Sequence, residues 1–180
     1  MKNNNIEIGS IFIKGINKAL ERINKISFSK WIFRSFSTTF KSGNFDSVSV
    51  YSITNEKDIA AVMCVKRNDI YDLVRFFIGK NINDNFSVLK IYELVFNEIG
   101  NIILNSIIGE IANHLNIKII PSLPVVINGD KFFILENLST MIEENSNKSV
   151  LMINLVSEIE NKIIEIEIYI MLSPQILERL

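Results

Sequence analysis

Residues 150–171 read VLMINLVSEIENKIIEIEIYIM. In the second part of this stretch Ile164, Ile166, Ile168 and Ile170 alternate with Glu165, Glu167 and Tyr169. That is the two-residue period of a strand with one face buried. The stretch predicts a β-hairpin: Val150 to Val156 out, a turn through Ser157 to Lys162, and Ile163 to Met171 back. Ser173-Pro174 then opens a short terminal helix carrying Ile176, Leu177 and Leu180, with proline suited to the first turn. The same device occurs earlier in the chain. Ser47 to Ile53 leads through Thr54-Asn55-Glu56-Lys57-Asp58 into Ile59 to Lys66. After it Ile70, Leu73, Val74, Phe77 and Ile78 recur at helical spacing and stop at Gly79.

A longer helix precedes each unit. Gly9 to about Asn24 supplies Ile13, Ile16, Leu20 and Ile23, and Phe86 to about Leu115 supplies a longer stripe. The order helix, extended segment, hairpin, helix therefore occurs twice. Two copies can only pack on each other. The expected fold class is α+β: duplicated helix plus β-hairpin halves with pseudo-twofold symmetry, an antiparallel or mixed sheet flanked by two long helices. One domain spans 1–180, with halves at about 6–80 and 86–180. Two stretches are less regular. Ile26 to Phe40 spaces Ile26, Phe28, Ile32, Phe36 and Phe40 evenly and reads as a strand by its Ser, Thr and aromatic content. Asn128 to Lys148 reads as a connection with one helical turn around Phe133 to Ile142.

Composition excludes several classes. The chain has 180 residues, 48% apolar and 22% charged, with net charge −1. That is ample for a core and lacks the basic excess of a nucleic-acid binder. Residues 1–41 carry eight Lys and Arg (Lys2, Lys14, Lys18, Arg22, Lys25, Lys30, Arg34, Lys41) against Glu7 and Glu21, which reads as a solvated basic face. His114 and Cys64 are the single residues of their types, so a His- or Cys-rich metal site and a disulfide within the chain are excluded. Cys64 reads as core, and His114 as a helix-end residue near the apolar side. The seven glycines form no dinucleotide or phosphate loop. No apolar run reaches the roughly 18 residues of a membrane span, and the polar, Asn-rich start is unlike a secretory signal. A cytoplasmic location is the expectation.

One constellation stands out. On the second long helix Leu94, Glu98, Asn101, Asn105, Gly109 and Ala112 fall within about 80° of one another, opposite Phe96, Ile103, Ile107 and Ile111. Glu98 and Asn101 thus project from the outer face of a rigid element, and Gly109 and Ala112 leave that face shallow.

Glu98-x-x-Asn101, followed after twenty-two residues by Pro124, resembles the signature of the CheC/CheX/FliY family of chemotaxis phosphatases. The likeness is best over residues 86–127 and extends to the duplicated order of elements. The resemblance implies hydrolysis of the aspartyl phosphate of a CheY-type response regulator. In it Glu98 would pair with a lysine of the receiver domain, and the Asn101 carboxamide would orient the attacking water. It implies no cofactor of the chain's own, with Mg²⁺ brought by the partner receiver, and it implies a homodimer, for which the apolar strands at 150–171 are the expected surface. The family pattern has Asp or Ser four residues before the Glu, where this chain has Leu94. Glu21-x-x-Asn24 looks like a second copy, but twenty-three residues after Asn24 stands Ser47, so it reads as degenerate and the chain as a single-site, CheX-like protein. A non-catalytic adaptor or a flagellar-switch component of the FliM/FliY type is the alternative.

Overall fold

The structure is a computed structural model that describes residues 2–38, 43–79, 87–142, 149–159 and 162–180. In chain order the elements are α1 (Lys2–Ile26), β1 (Trp31–Ser37), β2 (Asp46–Ile53), β3 (Ile59–Lys66), a 3-10 turn (Arg67–Asp69), α2 (Ile70–Ile78), α3 (Ser87–Leu115), β4 (Val125–Asp130), α4 (Lys131–Met141), β5 (Ser149–Ile159), β6 (Lys162–Leu172) and α5 (Pro174–Leu177). The strands form one sheet in the order β1-β5-β6-β3-β2-β4, and every pairing is antiparallel.

That order is unchanged when the two halves are exchanged. Each hairpin lies at the centre, and each half lends its first strand to the other half's hairpin: β1 pairs with β5, and β4 with β2. One row of partners crosses all six strands: Phe36, Ile153, Ile168, Met63, Val50 and Val126. Its middle pair, Ile168 with Met63, marks the pseudo-twofold axis. Strand parity then divides the core. Val50, Met63, Ile153, Ile168 and their row-mates pack against α1 and α3, while Ala60, Val62, Cys64, Met152 and Tyr169 pack against α4. Covered on both faces, β3 is buried from Ile59 to Val65, which is why IAAVMCV carries no alternation.

Both hairpins fall where the sequence placed them, with longer strands in the second. Residues 157–159 and Lys162, expected in its turn, belong to β5 and β6. Ile164, Ile166, Ile168 and Ile170 are fully buried. Glu167 and Tyr169, expected on a polar face, are buried too, because α4 lies over them. Asn128 to Lys148 is not a connection. It supplies the end of β4 and the whole of α4, whose start Asp130 caps by accepting a hydrogen bond from the Phe133 amide at 3.0 Å. Residues 143–148 lie outside the described residues.

The 26–40 stretch is a strand from Trp31 to Ser37, but its buried anchor is Trp31, while Ile26, Phe28 and Ile32 are exposed. A bulge at Arg34 shifts the register between Phe33 and Ser35, which puts Phe36 back on the face of Trp31 and Phe33. Phe40, Phe86 and residues 160–161 lie outside the described residues. On α1 the buried stripe is Ile8, Ile11, Phe12, Ile16, Ala19 and Ile23, and Ile13 faces outward. On α2 Phe76 is buried in place of Ile78. The strands at 150–171 are interior, so their apolar faces are spent on the core. The open edges of the sheet are β1 and β4. Ile91–Leu115 is long and apolar enough to cross a bilayer by length and composition, and half of it is buried inside the fold.

The α4 side of the sheet holds a buried charge pair. Lys131 is fully buried, donates to Glu167 Oε2 at 2.9 Å and to the Gly43 carbonyl, and lies 4.2 Å from the Phe45 ring centroid. Tyr169 donates to the same Glu167 oxygen at 2.6 Å. Removing one member of such a pair strands the other. Lys131→Ala is therefore expected to cost about 3–5 kcal/mol in denaturant unfolding, and Lys131→Met with Glu167→Leu much less. Cys64 lies beside this pair, and burial pushes its thiol up to about 12. It is expected to resist alkylation at pH 8 in the native state and to react in denaturant, as mass spectrometry would record.

Candidate functional site

Helix α3 carries the site, and two contacts fix its height and crossing point. A Cβ on Gly100 would stand 2.6 Å from Val50 Cγ1, so only glycine lets the helix rest on β2 there. A Cβ on Gly15 would stand 2.8 Å from Ile107 Cα, which brings α1 against the backbone of α3. Lys18 pairs with Glu110 across the same interface, and its ammonium holds the Glu110 carboxyl below the usual carboxylate range. With Phe96, Ile99, Ile103 and Ile107 buried beneath, the opposite stripe of α3 faces outward.

Leu94, Glu98, Asn101 and Asn105 lie along that stripe. Glu98 is exposed and Asn101 half-buried, one turn apart on the same face. Asn105 Nδ2 donates to Asn101 Oδ1 at 2.6 Å. Leu94 is 69% exposed, a large apolar side chain one turn before Glu98. A Cβ on Gly109 would meet nothing within 4 Å, so the shallow end of the face is open. Pro124 sits at the entrance of β4. Two residues on, Val126 pairs with Val50, the residue under Gly100. The interval of twenty-two residues is therefore the length of chain needed to finish α3 and return beneath it.

Beside the stripe lies a cavity of about 580 Å³ between the first turns of α2 and the N-terminal half of α3. Tyr71, Tyr92, Phe96 and Val126 wall it and Glu93 lines it. Glu98 and Asn101 are not among its described walls. Among the described residues no group of three His, Cys, Asp or Glu is placed to hold a metal ion. His114 is exposed in the last turn of α3.

Glu21 and Asn24 do not form a second copy. The Asn24 carboxamide is engaged at both ends by one backbone: Nδ2 donates to the Trp31 carbonyl at 3.0 Å, and Oδ1 accepts from the Trp31 amide at 2.7 Å. The counterpart that sequence reading missed is Glu7-Ile8-Gly9-Ser10-Ile11, set against Glu98-Ile99-Gly100-Asn101-Ile102. Geometry supports this alignment. It makes Gly15 the counterpart of Ser106, and those two positions meet where α1 crosses α3, as equivalent positions must beside a twofold axis. The signal in the sequence was the shared Glu-Ile-Gly. The first half thus has Ser10 where the second has Asn101.

The fold is that of chemotaxis proteins of the CheX, CheC and FliY kind. A chemotaxis protein CheX from Desulfovibrio desulfuricans superimposes with a TM-score of 0.64 at 12% identity, covering 91% of this chain and 99% of its own. FliY from Thermotoga maritima gives 0.67 at 16%, covering 99% and 94%. CheX from Borrelia burgdorferi, solved in a CheX–CheY–BeF3–Mg²⁺ complex, gives 0.59 at 15%, covering 88% and 97%. The FliM middle domain from Helicobacter pylori shares the fold as well. No protein-family model matches the sequence, and no curated protein does. The neighbours have the fold that the resemblance implied.

The seat of α3 generates a prediction. Gly100→Ala is expected to lower stability by about 1–3 kcal/mol through overpacking. Val50→Ala in the same chain should return part of the loss, as thermal unfolding of both variants would show.

Proposed function

We propose that this chain is a member of the CheC/CheX/FliY family and hydrolyses the aspartyl phosphate of a CheY-type response regulator. The observation that carries the reading is the presentation of Glu98 and Asn101, one turn apart, on the outer stripe of a helix seated on the sheet through Gly100. Glu98 is the anchor. An exposed carboxylate on a rigid helix suits a lysine beside the partner's phosphorylation site, and that pair sets the register of the two proteins. Asn101 then enters the partner's site and orients a water in line with the bond to be broken. The water attacks phosphorus, the bond between phosphorus and the aspartyl oxygen breaks, and the carboxylate leaves with inorganic phosphate as the second product. Mg²⁺ held by the receiver offsets the charge of the phosphoryl oxygens.

Little else is asked of the chain, because an acyl phosphate is already reactive. A hundredfold acceleration corresponds to about 2.7 kcal/mol, which positioning of one nucleophile can supply. Leu94 stands where the family pattern has a polar residue, and its exposure suits an apolar contact with the docked receiver. The implied homodimer belongs to this proposal, with the open edges β1 and β4 as its surfaces. Sedimentation of the full chain as a monomer would remove that part.

The test is phosphate release from a Mg²⁺-loaded, phosphodonor-charged CheY-type receiver from the same organism. Wild type is expected to accelerate release at least tenfold. Asn101→Ala should abolish the acceleration while retaining binding, and Glu98→Ala should weaken binding. Binding of the phosphorylated receiver by wild type at an unchanged rate of hydrolysis would establish instead the non-catalytic reading that the FliM-like fold and Leu94 favour.

A further inference from the structure

Asn101 does not stand alone on its stripe. One helical turn on, Asn105 Nδ2 donates to its Oδ1 at 2.6 Å, while Asn105 Oδ1 is buried without a hydrogen-bond partner. A carboxamide on a helix surface ordinarily rotates among several orientations, and ordering it at each encounter costs rotamer entropy. Asn105 is half-buried with its oxygen turned inward, which leaves its NH₂ to donate to Asn101. We propose that Asn105 is a positioning residue that holds the Asn101 carboxamide with its oxygen turned back along the helix and its NH₂ outward. This rests on the reading of Asn101 as the water-orienting group.

The direction of the bond matters chemically. With its oxygen committed to Asn105, Asn101 meets the water as a donor. An N–H directed at one lone pair of the water leaves the other free to point at phosphorus, whereas an outward carbonyl would instead bind one of the water's hydrogens. Asn105 therefore selects between two amide orientations of nearly the same shape. The same position in the first half, aligned through Glu7-Ile8-Gly9, is Lys14, so that half lacks both the amide and its holder.

Two variants test this. Asn105→Ala removes the donor. Asn105→Asp keeps the shape but only accepts, so it should turn the Asn101 NH₂ inward. Both are expected to lower the maximal rate of phosphate release five- to fiftyfold, with unchanged KM and unchanged affinity for a receiver loaded with beryllofluoride and Mg²⁺. Independently of activity, ¹⁵N relaxation of the Asn101 side-chain NH₂ should show an ordered group in wild type and a mobile one in Asn105→Ala. Thermal unfolding identifies a variant that fails to fold, and the relaxation of the wild-type group alone then decides. A mobile NH₂ in wild type, or full activity in a folded Asn105→Asp, would overturn the proposal. If wild type accelerates nothing, the phosphatase reading fails, and an ordered Asn101 NH₂ released by Asn105→Ala would still establish the positioning contact.

Discussion

The structure depends on the exchange of first strands between its halves. Neither hairpin can form this sheet alone: β5 needs β1 from the other half on its outer edge, and β2 needs β4. The row from Phe36 to Val126 runs unbroken through that exchange, and the two long helices lie on it. Because α3 rests on Val50 from the first half through Gly100 of the second, the height of the Glu98–Asn101 stripe is set by contacts that exist only after both halves have folded together. These contacts join residues far apart in sequence, so the helix is seated by the assembled fold and not by its own half alone.

Most of this architecture was legible, for physical reasons that vary along the chain. The second hairpin announces itself because the β6 face toward α1 and α3 is all isoleucine, Ile164 to Ile170, while its other face carries Glu165, Glu167 and Tyr169. The α3 face was legible because a helix of 29 residues repeats its pattern often enough to fix it. Elements whose burial comes from elsewhere were hidden. β4 is a six-residue edge strand, mostly exposed along its length, so no period could reveal it. α4 buries Ile134, Leu135 and Leu138 around a fully buried Lys131, and a lysine at that position reads as solvent. Its presence also inverted the reading of Glu167 and Tyr169, which look like a polar face until α4 covers them. Trp31 was masked by the Arg34 bulge, which breaks the two-residue period midway along β1.

Glu98 and Asn101 lie on the outer face of α3 where their spacing put them, and Glu21 with Asn24, read as degenerate, has no such arrangement, although the true counterpart in the first half was missed. Glu21 and Asn24 matched in residue type, yet the Asn24 carboxamide is engaged at both ends by the Trp31 backbone and closes the passage from α1 into β1. Matching by residue type favoured the visible asparagine. Matching by packing would have favoured the glycine: Gly9 and Gly100 both sit on the row through Phe36 and Val50. Packing demands glycine only at 100, where a Cβ would stand 2.6 Å from Val50 Cγ1; at Gly9 it would meet Phe36 at an ordinary 3.8 Å, so there the shared Glu-Ile-Gly marks the register without a steric need.

That contrast explains how one scaffold holds two unlike faces. The positions that must pack on each other across the pseudo-twofold axis, Gly15 with the backbone at Ser106 and Ile107, and Met63 with Ile168, are bound to the symmetry of the fold. The outer stripes are not, since nothing within the chain packs on Asn101 or on its counterpart Ser10 closely enough to bury either side chain. The sheet and the helix crossing therefore accommodate serine at position 10 and asparagine at the matching position 101, where the amide is bonded to Asn105. Asn105 leaves its oxygen buried without a partner, as do Asn97 and Asn154. Packing across the axis thus fixes the scaffold, while the residues on each outer stripe can differ without disturbing it.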